Sequence, residues 1–377
     1  MNTKGWREDN SSDFVMEEWG EDTFTTTEPS TDELGECTHG ATVYDEEQEE
    51  FDASSASSWC ERGDVLRTLE LFDFAIEAYE QATVLDASCI RAYINKGDVH
   101  TTVEQYREAI DAFTHALVHE PENAYVLNGK ATALYRLGRY PQALIFYEKA
   151  LLFAPHEATF HYNKAVVLAA LERHAEAVSA YERCIQLNPN DAHAYNNRGN
   201  SLYKLRFYQG AYAAYEQATR LDDTEQIFFE NKATVLMFLD RYEEALQAYE
   251  RVLVFDPENA SMQVCKGNAL TLLHRYEDAI QTYKQVLAHT QDAVPVYNSL
   301  AHVYSLMERY NDAFATYDKA IAHDTSRPES YWAKGTLLWQ LRRYDEAMLA
   351  CGAAIERAPH YKEQLRFLTI KQPENSI

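Results

Sequence analysis

From residue 56 onward, apolar and polar positions recur with the helical period rather than the strand period. The stretch Ala192 to Leu205 reads AHAYNNRGNSLYKL, and its Tyr195, Gly199, Leu202 and Leu205 follow at offsets of four, three and three. That spacing puts them on one packing face of a helix. His193, Asn196, Asn197, Asn200, Tyr203 and Lys204 fall on another face, polar but nearly uncharged. Asparagine is up to about 0.7 kcal/mol poorer than alanine in a helix interior. Three of them on one face therefore need a reason, either a ligand or a neighbouring repeat.

The same pattern returns at a fixed interval. Ala75, Ala109, Ala143, Ala177, Ala211, Ala245, Ala279, Ala313 and Ala347 each stand 34 residues after the last. Twelve residues before each is Gly or Ala, and four residues after it is Tyr or Phe, with Cys351 the one departure. Pro121, Pro155, Pro189, Pro257 and Pro359 recur between units, where a helix must stop. Each unit holds two helical patterns. In the third they cover Ala124–Leu137 and Tyr140–Phe153, with Gly138 and Arg139 as the turn. A period of this size marks a solenoid. The small residues let two helices approach closely, where a larger side chain would cost about 1–3 kcal/mol. The aromatics fill the space between helices.

These residues resemble the tetratricopeptide repeat, whose pattern has an aromatic at position 4, small residues at 8 and 20, an aromatic at 24, often Ala at 27 and Pro at 32. Position 4 holds Trp59, Tyr93, Tyr195, Phe229, Tyr297 and Tyr331. Cys184, Val252 and Val286 depart from Ala at 27, and Asp223, Gln291 and Thr325 from Pro at 32. The resemblance implies an all-α, right-handed solenoid of nine repeats, 56–89, 90–123, 124–157, 158–191, 192–225, 226–259, 260–293, 294–327 and 328–361. Residues 362–377 are expected to form a capping helix and a frayed end.

Composition separates the first 55 residues from the rest. They hold 17 acids against Lys4 and Arg7, more than half of a net charge of −26. With few aliphatics, this stretch reads as a disordered acidic tail, punctuated by Phe14, Val15, Met16, Trp19, Phe24, Tyr44 and Phe51. An acidic chain without a basic patch disfavours nucleic acid. No run approaches 18 apolar residues, so no membrane span is expected. The first residues lack a signal-peptide core, which predicts a cytoplasmic protein. The six cysteines form no C-x2-C pair, so a zinc ribbon is unsupported, and free thiols are expected.

No catalytic motif stands out: there is no P-loop, G-x-S-x-G or G-x-G-x-x-G. His156 and His161 miss the zincin spacing by one residue, and His115 with His119 lacks a third ligand. The chain is expected to bind rather than catalyse, with no cofactor and no metal.

The resemblance assigns positions 2, 5, 6, 9, 12 and 13 of each repeat to an inner, peptide-binding surface. In repeats three to five it implies Tyr125, Asn128, Tyr135, Arg136, Tyr162, Asn163, His193, Asn196, Asn197, Asn200, Tyr203 and Lys204. Asn95, Asn163, Asn197 and Asn231 at position 6 are similar to the asparagine ladder of O-linked N-acetylglucosamine transferases, where amides grip a peptide backbone. An amide donates and accepts together, so it can read main chain without reading side chains. The competing reading is that these amides bond to neighbouring repeats. The lysines at position 7, such as Lys96, Lys164 and Lys266, are expected to lay their stems along the packed helices. The expected function is a non-enzymatic scaffold that binds extended peptide segments of other proteins. Alternatives are an adaptor whose own residues 1–55 occupy the groove, and a non-catalytic subunit of an enzyme complex.

Overall fold

The computed structural model describes residues 51–370, with side chains to residue 365. The acidic segment lies almost wholly outside the described residues. The described chain is helical without strands. Nine helices begin at a constant interval: α1 (Ala56–Thr68), α3 (Ile90–Thr102), α5 (Ala124–Arg136), α7 (Ala158–Ala170), α9 (Ala192–Lys204), α11 (Gln226–Phe238), α13 (Ala260–Leu272), α15 (Val294–Leu306) and α17 (Pro328–Gln340). Each is followed by an antiparallel partner: α2 (Phe72–Leu85), α4 (Tyr106–His119), α6 (Tyr140–Phe153), α8 (His174–Leu187), α10 (Tyr208–Leu221), α12 (Tyr242–Phe255), α14 (Tyr276–Val286), α16 (Tyr310–His323) and α18 (Tyr344–Arg357). A last helix, α19 (Tyr361–Ile370), sets Tyr361 and Leu365 against Trp332, Cys351 and Ala354. The chain divides into two compact units, one ending at Asp222 and the other starting at Asp223.

Close packing within each pair follows from the small residue at position 8. A Cβ on Gly63 would lie 2.4 Å from the Tyr79 ring, and one on Gly199 2.6 Å from the Tyr215 ring. The rings at position 24 are among the most deeply buried side chains: Tyr79, Phe113, Tyr147, Tyr181, Tyr215 and Tyr283 are all exposed by 1 % or less.

Every turn within a pair is built the same way, although the sequence marks it only once. Glu70, Glu104, Gly138, Glu172, Arg206, Asp240, His274, Glu308 and Arg342 all carry positive φ. Each is followed by a residue whose N–H returns to the carbonyl five residues back, as in Leu71 to Leu66 at 2.9 Å and Arg173 to Leu168 at 2.8 Å. This is the Schellman closure of a helix C-terminus. Glycine adopts the left-handed conformation freely, whereas other residues meet a cost of about 1–2 kcal/mol. In five pairs the helix that follows is braced by an Arg pairing with an acid three residues on, as in Arg173 with Glu176 at 2.7 Å, Arg275 with Asp278 at 2.7 Å, and Arg309 with Asp312 at 2.6 Å.

The eight side-chain-bearing turns therefore carry strain that Gly138 avoids. Glu172→Gly is expected to raise stability by up to about 1 kcal/mol, and Gly138→Ala to lower it by about as much. Chemical denaturation of each variant checks both signs; a loss with Glu172→Gly would contradict the account.

Candidate functional site

The twelve candidate residues all lie on α5, α7 and α9, within the first unit. They separate into two layers. Asn128, Tyr162, Asn163, Asn196, Asn197 and Asn200 are buried, from 1 % exposure at Asn163 to 9 % at Asn197. Tyr125, Arg136 and Lys204 are exposed, while Tyr135, His193 and Tyr203 are half-buried.

The buried layer is a hydrogen-bonded chain through three repeats. Asn163 Nδ2 donates to Asn128 Oδ1 at 3.1 Å. Asn197 Nδ2 donates to the Tyr162 hydroxyl at 2.9 Å. Asn196 Nδ2 donates to Asn197 Oδ1 at 3.1 Å, and Asn200 Nδ2 approaches the same oxygen at 3.5 Å. The Tyr215 hydroxyl then donates to Asn200 Oδ1 at 2.8 Å. Asn95, at the matching position of the second repeat, reaches back in the same way, to Asp64 Oδ1 at 2.6 Å. Asn95, Asn163 and Asn197 therefore link the second, fourth and fifth repeats each to the one before it. Asn163 Oδ1 is buried without a hydrogen-bond partner.

A second regularity was hidden in the spacing. The residue at position 9 meets the hydroxyl of the tyrosine 15 residues later. Tyr79 donates to Asp64 Oδ1 at 2.7 Å, Tyr283 to Asn268 Oδ1 at 2.7 Å, and Tyr147 pairs with Thr132 at 2.9 Å. A buried phenol needs such a partner. The second repeat breaks the pairing, because Phe113 has no hydroxyl to offer Asp98. Asp98 is exposed as a residue, yet the protein around its carboxyl pushes that group up to about 6, against a weaker pull from Arg67. Partial desolvation of a carboxyl favours its neutral form.

The outer layer is held at its edges. The Tyr125 hydroxyl donates to Glu157 Oε1 at 3.3 Å, and its ring meets Phe160 edge-on at 5.5 Å. Tyr135 packs on Tyr140 at 5.3 Å, and Tyr203 on Tyr208 at 5.6 Å. Burial pushes the Tyr203 phenol up to about 12, so it stays a neutral donor. Arg136 and Lys204 occupy the last turns of α5 and α9, where a cation is favoured by the helix dipole.

The position-7 cations do more than lay down their stems. Several reach an acid 16 residues earlier, on the preceding repeat: Lys96 to Glu80 at 2.6 Å, Lys164 to Glu148 at 3.1 Å, Arg198 to Glu182 at 3.0 Å and Lys266 to Glu250 at 3.1 Å, while Lys130 reaches the Thr114 hydroxyl at 2.8 Å. The signal, a cation at 7 with an acid at 25 of the previous unit, is present in the sequence. Among the described residues, no group of three or more His, Cys, Asp or Glu could hold a metal ion. No described helix is long and apolar enough to cross a membrane.

Comparison with known proteins agrees with this geometry. The tetratricopeptide repeat family matches residues 56–89, 94–158, 158–191, 192–225, 230–295 and 299–362. No curated protein matches the chain. Among solved structures, the C-terminal part of a TPR repeat-containing protein from Cytophaga hutchinsonii is 16% identical, with a TM-score of 0.56 over 64% of this chain and 98% of that one. A tetratricopeptide repeat protein from Parabacteroides merdae is 16% identical, with a TM-score of 0.49 over 67% of this chain and 99% of that one. YrrB, described as a TPR protein with an unusual peptide-binding site, is 23% identical, with a TM-score of 0.44 over 48% of this chain and 93% of that one. At 16% identity the likeness to the Cytophaga hutchinsonii protein speaks to the fold alone.

Two outcomes follow from the layers. Asn197→Ala removes a donor to Tyr162 and an acceptor from Asn196, and should lower stability by about 1–3 kcal/mol in chemical denaturation. Asp98→Asn should stabilise the protein at pH 7. The folded Asp98 carboxyl titrates above the usual carboxylate range, so its ionisation weakens the fold as pH rises from about 4 to 6. The advantage of Asp98→Asn should accordingly vanish below pH 4, and melting across that range checks it.

Proposed function

Because the chain belongs to the tetratricopeptide repeat family, a fold of protein-interaction scaffolds, we propose that repeats three to five bind an extended peptide segment of another protein. The reading rests on one observation: the two-layer arrangement of α5, α7 and α9. The inner layer, Asn128, Tyr162, Asn163, Asn196, Asn197 and Asn200, fixes three helices in register before any ligand arrives. The outer layer, Tyr125, Tyr135, Arg136, His193, Tyr203 and Lys204, carries the contact. Preorganisation of this kind spares the ordering cost of binding.

The outer chemistry sets the preference. Arg136 and Lys204 attract carboxylates, and a guanidinium grips them in two-point fashion. Tyr135 and Tyr203 offer flat apolar faces with polar tips, suited to aromatic or aliphatic side chains. The partner is thus an extended segment with acidic and apolar residues interleaved. No step of this function needs a cofactor or a metal, and the chain acts as a binder in the cytoplasm.

Selection of binders from a random peptide library displayed on phage tests the proposal. Recovered sequences should combine acidic and apolar residues. Arg136→Gln with Lys204→Gln should weaken a recovered peptide at least tenfold while lowering stability by no more than about 1–2 kcal/mol. Peptides that bind equally well to this double variant would overturn the assignment.

A further inference from the structure

The first repeat contains a pair of thiols that the proposed groove does not use. Cys60, on α1, is fully buried in a core shared with Ala75, Tyr79, Ala82, Ala92 and Val99. Cys89 immediately precedes α3 and is half-buried, in a turn where its N–H donates to the Asp86 carbonyl at 3.0 Å. The two sulfurs lie 3.4 Å apart, and both thiols are free. A disulfide requires a further approach of about 1.4 Å to reach its usual bond length. Cys89 sits at a turn next to the exposed Ser88, on the side where such an adjustment is cheapest. Cys184, by contrast, rests its sulfur against Asp191 at 3.8 Å.

We propose that Cys60 and Cys89 form a reactive dithiol site that takes small aliphatic disulfides, such as oxidised glutathione, and closes into a bond between α1 and the residue that leads into α3. The two sulfurs have unequal roles. Burial and the neighbouring Cys89 push the Cys60 thiol up to about 12, which keeps it protonated and unreactive toward solvent. Cys89 is the accessible sulfur and reacts first. It loses its proton and attacks one sulfur of the small disulfide, giving a mixed disulfide on Cys89 and releasing one small thiol. Cys60 then loses its proton and attacks the Cys89 sulfur, releasing the second small thiol and forming the Cys60–Cys89 bond. Two protein thiols are oxidised and one small disulfide is reduced to two thiols.

The bond would reinforce a junction that already exists. One helical turn after Cys60, Asp64 accepts from the Tyr79 hydroxyl at 2.7 Å and from Asn95 Nδ2 at 2.6 Å, and pairs with Arg91. Tyr79 belongs to the first repeat, and Asn95 and Arg91 to the second. Oxidation would therefore make permanent the alignment of α1 and α3 that Asp64 holds by hydrogen bonds. This inference is independent of the peptide-binding reading.

The experiment uses the full chain carrying Cys37→Ser, because cleavage after Lys and Arg leaves Cys37 and Cys60 on one peptide. The reduced, folded protein is equilibrated with graded ratios of oxidised to reduced glutathione, quenched with an alkylating reagent and mapped by mass spectrometry. The expected result is a Cys60–Cys89 cross-link formed without denaturant, with the loss of two hydrogen atoms and a higher melting midpoint. Adding Cys60→Ser should trap glutathione on Cys89, and adding Cys89→Ser should leave Cys60 unmodified. Alkylation of both thiols in every mixture would overturn the proposal. So would a cross-link that forms only after unfolding, or glutathione accumulating on Cys89 while Cys60 remains intact.

Discussion

The structure depends on one contact repeated along the chain: the aromatic side chain at position 24 laid against the small residue at position 8. Around Gly63 and Gly199 the tyrosine ring already occupies the space that a β-carbon would need. This contact fixes the distance between the two helices of a pair. It also fixes where the phenol hydroxyl emerges, beside position 9 on the inner side of the first helix. Asp64, Thr132, Asn200 and Asn268 meet that hydroxyl. Apolar packing and the polar pattern of the inner face are therefore one constraint.

The inner asparagines follow from it. Once Tyr215 holds Asn200, the neighbouring amides of Asn196 and Asn197 complete one another, and Asn197 reaches back to Tyr162 of the previous repeat. Side-chain amides buried this deeply must be satisfied within the protein, and they are spent largely on joining repeats. Charged groups do the same work nearer the surface, where cations at position 7 reach acids of the preceding repeat. Such exposed pairs contribute little individually, so the buried amides and packed rings carry more of the alignment. In the proposed function, recognition falls to the side chains above this floor, chiefly Arg136, Tyr203 and Lys204.

Much of this was legible from the sequence. The unbroken 34-residue spacing from Ala75 to Ala347 places every helix pair, and helices start at that spacing from Ala56 to Pro328. Other features were not. The left-handed turn residue could be read only at Gly138, because the other eight turns use residues that do not advertise positive φ. The asparagines could be placed on the inner face but not assigned to a ligand or a neighbour. Asn163 and Asn128 are 35 residues apart in sequence, and only the stacking of repeats brings them to 3.1 Å. Asp98 is the clearest case of a meaning set by its neighbour. With Phe113 in place of a tyrosine, Asp98 has no phenol to accept from, and desolvation holds its carboxyl above the usual range.

The central claim is that the inner amides act between repeats, and a double-mutant cycle across Tyr162 and Asn197 tests it most directly. Tyr162→Phe, Asn197→Ala and the double variant would be compared by chemical denaturation. The account predicts a coupling of about 1 kcal/mol or more, since the first substitution already removes what the second would lose. Strictly additive losses would contradict it, and would return the asparagines to the role of ligand-facing groups.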